Sequence, residues 1–247
     1  MKRVLACLSL ILLCSTLVAS AEPSPGRYVL SPESQKQPQL LADGESFSTE
    51  PTFLVQSSDA SGCRIDFHLT ALLMEEIAIK GSRYSALTIP GGGISGLSGE
   101  PGLPTDSGLL AVPEGRAVSV FSSVKGQRTY SNVKVLPVQP DNATDFVMDA
   151  AVYSGRKAST KYSDQNDAYV ILGEPAIYHG VRVVPFTIQP VSFDPQKNEI
   201  TTLAHLEVSF EFSGVDQRAK SHRTSGIMPE SFAGLLQVSW STQIRLD

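Results

Sequence analysis

The chain has 247 residues, with 20 Lys+Arg against 25 Asp+Glu and a formal net charge of −5. Three cysteines are too few for a disulfide scaffold, and 41% hydrophobic against 18% charged residues excludes a charge-rich disordered chain. The acidic balance offers no cation cluster for phosphates, so no nucleic-acid partner is expected.

Met1-Lys2-Arg3 gives a positive start, and Val4 to Val18 an uncharged, largely apolar stretch. That stretch falls short of the roughly 20 residues a spanning helix needs. Small residues follow at Ala19-Ser20-Ala21, which predicts a signal peptide over 1–21, cleaved between Ala21 and Glu22. The expected location is therefore periplasmic or secreted, with no membrane span later in the chain. Cleavage would remove Cys7 and Cys14 and leave Cys63 alone. A lone cysteine reads more readily as a buried inert thiol than as a nucleophile.

Residues 22–60 are rich in Pro, Ser, Gln and Glu and are expected to form a flexible arm, with one short strand near Phe53-Leu54-Val55. From Cys63 the pattern changes. Cys63, Ile65, Phe67 and Leu69 alternate with Arg64, Asp66 and His68, the period of a half-buried strand. Further strand-like runs follow at Ile77–Ile79, Tyr84–Ile89, Leu109–Val112, Ala117–Val124, Asn132–Val138 and Phe146–Tyr153. Ser154 to Asp167 reads as an exposed loop. Beyond it come Tyr169–Leu172, Gly180–Gln189, Ile200–Leu203 and the clean alternation Leu206, Val208, Phe210, Phe212. Asp194-Pro195-Gln196-Lys197-Asn198 is turn chemistry between two strands.

Two helical patterns compete with these strands, Leu69–Ile77 and Pro229–Val238. Many short strands with Gly and Pro between them predict an all-β fold, an antiparallel β-sandwich of jelly-roll type with a short C-terminal helix. The expected sandwich covers 61–215, and 216–247 is expected as an extension carrying that helix.

Motifs for chemistry are weak. Gly91 to Gly96 satisfies GxGxxG, yet Leu97 to Pro104 cannot continue as the helix a phosphate site requires, so the segment reads as a mobile glycine loop. His68, His179, His205 and His222 show no metal-ligand spacing, and His68 and His205 fall at water-facing strand phases. Asp164-Gln165-Asn166-Asp167 lacks the Gly and distant Glu of a calcium loop. No Ser occupies a nucleophile elbow, since Gly93-Ile94-Ser95-Gly96-Leu97 fails at its last position. No catalytic residue, metal or cofactor is expected, although a triad built from distant strands leaves no sequence trace.

Two stretches are more specific. Gly99-Glu100-Pro101-Gly102-Leu103-Pro104, followed by Leu109 to Gly115, resembles the signature of gingipain-type propeptides, the prodomains of the C25-type bacterial cysteine peptidases. Val181-Arg182-Val183-Val184-Pro185, then Ile188 to Pro195 and Asn198-Glu199-Ile200, is similar to that family's paired strands and turn. The resemblance covers about residues 65–214. It implies a β-sandwich that assists folding of a caspase-like cysteine peptidase domain and blocks its active site.

The resemblance implies that, as in the family's best understood members, a residue on an inter-strand loop, basic in those members, fills the enzyme's specificity pocket. The corresponding loop here holds Asp141, Asn142, Ala143, Thr144 and Asp145, with no Lys or Arg. A carboxylate cannot pair with an acidic pocket, which implies a partner of different specificity. The sequence printed to Asp247 shows no match to the peptidase domain's His and Cys. The expectation is a non-enzymatic propeptide-like module acting in cis, within a longer precursor, or in trans. The alternative is a secreted binding or adhesion module with no peptidase partner.

Overall fold

The computed structural model describes residues 26–34, 36–42, 44–154, 167–178 and 180–216. In chain order the first strands are β1 (Arg27–Leu30), β2 (Gln39–Leu40), β3 (Thr52–Asp59), β4 (Gly62–His68), β5 (Leu72–Ile79), β6 (Ser82–Thr88) and β7 (Gly93–Ser95). Next come β8 (Leu103–Ala111), β9 (Ala117–Ser131) and a single turn of helix, α1 (Ala150–Tyr153). The series closes with β10 (Val170–Leu172), β11 (Ala176–Tyr178), β12 (Val181–Ile188), β13 (Val191–Asp194) and β14 (Glu199–Ser213).

They form three antiparallel sheets, ordered β2-β1-β5-β6, β10-β12-β8-β7 with β11 also on β12, and β13-β14-β4-β3 with β9 also on β14. Period-two alternation explains the faces. Cys63, Ile65 and Phe67 on β4 lie opposite Phe210, Val208 and Leu206 on β14, and all six are buried. Phe186 on β12 meets Phe210 at 5.1 Å and Phe53 on β3 at 6.0 Å between ring centroids, which packs the second sheet onto the third. Gly108, paired with Phe186, is required there, because a Cβ would lie 2.6 Å from that ring. Each fully buried Phe contributes on the order of 1.5–3 kcal/mol of transfer free energy.

The turns follow their residues. Lys80 and Gly81 both take positive φ between β5 and β6, the two-residue hairpin geometry that suits twisted strands. Between β13 and β14, Asp194 Oδ1 accepts from the backbone N–H groups of Gln196 and Lys197, and Asn198 sits at φ 50°. That is the turn expected from the sequence.

Several expectations are corrected. The stretch 22–60, expected as a flexible arm with one strand near Phe53, contributes β1 and β2 as well as that strand, β3, because Leu30 and Phe53 bury completely or nearly so in the common core. Leu69–Ile77 is not helical. Leu72 and Met74 alternate inward along β5 instead. Asn132–Val138 makes two isolated bridges, Ser85↔Val135 and Pro101↔Pro137, since Pro137 cannot donate to a ladder. Phe146–Tyr153 is no strand, because Asp149 caps α1 by accepting from the N–H groups of Ala151 and Val152. The Gly91–Gly96 segment is a turn leading into β7 rather than a mobile loop, with Gly92 N donating to Ile89 O. The signal peptide, the loop core 155–166 and the expected helix at Pro229–Val238 lie outside the described residues.

Candidate functional site

The segment Gln139–Val147 leaves the sandwich as a closed loop. Gln139 closes its neck: its Nε2 donates to the carbonyls of Pro137 and Val147, and its Oε1 accepts from Val147 N, each at 2.9 Å. Pro140 removes a backbone donor, and Ala143 N turns back to Pro140 O at 3.0 Å. One amide side chain therefore performs the pairing that a strand would otherwise provide.

The neck rests on the turn between β7 and β8. Gly99 N donates to Val138 O, Val138 N to Glu100 O, and Asp149 N to Gly99 O, all at 2.8 Å. Gly99 holds φ 88°, and a Cβ there would approach Asp149 N to 3.0 Å. Tyr153 Oη fixes the far side by donating to Val135 O at 2.7 Å, and burial pushes its phenol upward. Glycine and proline in Gly99-Glu100-Pro101-Gly102 thus shape a platform for the loop.

Asp141, Asn142, Ala143, Thr144 and Asp145 are all exposed at the tip. They present two carboxylates and two neutral polar side chains on a backbone held at both ends. The apolar side chains of Ile94, Leu97 and Met148 are exposed on the supporting segments. Such a loop can enter a partner's cleft without reorganising the sandwich. Cys63 is buried on the core side of β4, and desolvation raises its thiol, against a weaker opposing hydrogen bond from Ser58. The expected cleavage residues Ala21 and Glu22 lie outside the described residues.

A second cluster was not legible from spacing. The β4–β14 register places His205 directly opposite His68, with Asp66 one outward position along. The two imidazoles stack at 4.2 Å, and His68 Nδ1 lies 3.3 Å from Glu33 Oε1. Asp66 Oδ2 accepts from Gln56 Nε2 at 2.6 Å, while Asp66 Oδ1 lies 3.6 Å from His205 Nε2. Both histidines are half-buried rather than simply turned to water. The missed signal was that two alternating strands of opposite direction, aligned by Phe67 and Leu206, must bring their outward histidines together.

Arg182 and Asp216 form a buried ion pair, and Arg182 also donates to Arg116 O at 2.8 Å. Asp216 N donates to Gly115 O at 2.9 Å, which pins the end of β14 to the β8–β9 turn.

The chain is similar to known proteins in sequence and fold. The family model described as Propeptide_C25 matches residues 44–231. Lys-gingipain and Lys-gingipain W83 of Porphyromonas gingivalis are each 25% identical over 193 residues, covering 73% of this chain and 11% of the relative. The chain thus spans about a tenth of the length of these curated relatives. Two solved structures share the fold. One concerns the zymogenic latency of gingipain K from Porphyromonas gingivalis, with TM-score 0.55, 22% identity, and coverage of 68% of this chain and 96% of that one. The other is a complex of the RgpB pro- and mature domains from the same organism, with TM-score 0.56, 19% identity, and coverage of 66% and 84%.

Proposed function

The chain belongs to the C25 propeptide family, and from that premise we propose that it keeps a gingipain-like cysteine peptidase latent and assists its folding. It is a non-catalytic prodomain. The observation that carries the proposal is the family match over residues 44–231, which includes the platform and the whole loop. The RgpB structure is a complex of pro- and mature domains, so a prodomain of this fold has a surface for its peptidase. The action is in cis within a longer precursor or in trans on a separate peptidase. Export through the first 21 residues belongs to the same proposal.

The Asp141–Asp145 tip is the contact. Its carboxylates favour a peptidase whose specificity pocket is not acidic, because two like charges brought together in a desolvated pocket repel. The lack of a cation at the tip also favours the second reading, a secreted binding module without a peptidase partner.

Titrating a C25-type peptidase domain with the chain separates the two. Suppression of peptidase activity at equimolar ratio is expected, weakened at least about tenfold when residues 141–145 are replaced by Gly and Ser, a difference of roughly 1.4 kcal/mol. Unchanged inhibition by that variant would remove the loop from the contact. No binding to any C25 peptidase domain would leave the binding-module reading.

A further inference from the structure

We propose that Asp66, His68 and His205 form a binding site for a divalent metal of the zinc class on the outer face of the third sheet. The ligand atoms of these three residues lie within 4.8 Å of one another. Two of them, Asp66 Oδ1 and His205 Nε2, are buried from solvent and have no hydrogen-bond partner. Their separation of 3.6 Å is too long for a hydrogen bond. It is close to the edge of a tetrahedron with metal–ligand bonds of about 2.0–2.1 Å, which is about 3.3 Å. Neither atom has a hydrogen bond at that spacing, and a cation between them would satisfy both.

The two rings stack with their planes 16° apart, so one imidazole turns out of the stack on binding to bring both nitrogens to one ion, and the neighbours hold the remaining groups. Glu33 accepts from Nδ1–H of His68, fixing the tautomer that leaves Nε2 with its lone pair, as carboxylate partners do for metal-bound histidines. Gln56 occupies Asp66 Oδ2 and so turns Oδ1 towards His205. The ladder between β14 and β9 shifts register on both sides of His205, a bulge that re-aims its side chain. Two imidazoles and one carboxylate suit zinc, cobalt or nickel rather than calcium or magnesium, which take oxygen ligands. Water completes the fourth position. Binding would clip β4 to β14 from the side opposite the core, and it is independent of the propeptide reading.

The test is a titration of the full chain, first stripped with EDTA, with Co2+ followed by visible absorption and then with Zn2+ followed by calorimetry. The expected result is one ion per chain, tetrahedral-type cobalt bands displaced by Zn2+, and a melting temperature that rises with Zn2+ concentration. Asp66→Asn, His68→Gln and His205→Gln should each weaken Zn2+ at least about tenfold. Their far-UV spectra and metal-free melting confirm that the sandwich is folded. A His179→Gln/His222→Gln chain should bind as the parent does. Undiminished binding in the three variants, or loss only in the His179/His222 chain, would overturn the site. So would no uptake of either ion, which would leave a bridging water or a proton between Asp66 and His205.

Discussion

Asp106 on β8 is almost wholly buried, and its Oδ1 accepts from Ser107 N at 2.8 Å. Desolvation pushes its carboxyl up to about 6, and the charge of Glu50 adds to the rise against the Ser107 hydrogen bond. A carboxyl raised in the folded state binds its proton more tightly there than in the unfolded chain. Its contribution is therefore complete below about pH 4, the unfolded value, and is lost as pH rises through about 6. Above that, folding must hold a buried charge. Asp106→Asn keeps the oxygen that Ser107 needs and removes the ionisation. The variant should match the parent near pH 4 and exceed it at pH 7 by roughly 1–3 kcal/mol in urea unfolding. A difference that does not change between those two pH values would refute the assignment.

At the scale of elements, the segment that follows β14 is tied back by a buried ion pair. Both partners, Arg182 and Asp216, have side chains only 8% exposed. Removing one leaves the other charge buried, at a cost of about 3–5 kcal/mol, whereas replacing both by apolar residues costs far less. Asp216→Ala should therefore destabilise strongly in urea, and Arg182→Met/Asp216→Leu should recover most of the loss. If the double variant is no better than the single one, the pair does more than neutralise itself. The strands of the sandwich were partly legible. The alternations at Cys63–Leu69 and Leu206–Phe212 state their faces directly, and Asp194–Asn198 states its turn. β1 was not legible, because four residues with polar neighbours carry no period until Leu30 meets its distant core partners. The loop tip at 141–145 was singled out only through the family resemblance. Its Gln139 clasp and the His68–His205 pair were not, because both depend on pairings between residues far apart in the chain.

Across the whole molecule one core joins all three sheets. Leu30, Leu72 and Leu87 from the first, Phe186 and Ile188 from the second, and Phe67, Leu206 and Phe210 from the third belong to a single buried cluster. No sheet can leave without exposing the apolar face of another. β14 reaches back to β4, so the ladder between them closes only after most of the chain has been collected, and the entropy of that closure precedes its reward. Two consequences follow from one cause. Folding should be slow, roughly milliseconds to seconds, as expected of sheets built from distant strands. Unfolding should be a single transition, with far-UV and near-UV circular dichroism falling together in urea, because secondary structure and tertiary packing depend on the same cluster. A plateau in which near-UV signal is lost while most strand signal remains would mean that the first sheet separates from the other two. The core would then be two units in contact, and a loop platform on β7 and β8 could stay intact after β1 and β5 had melted.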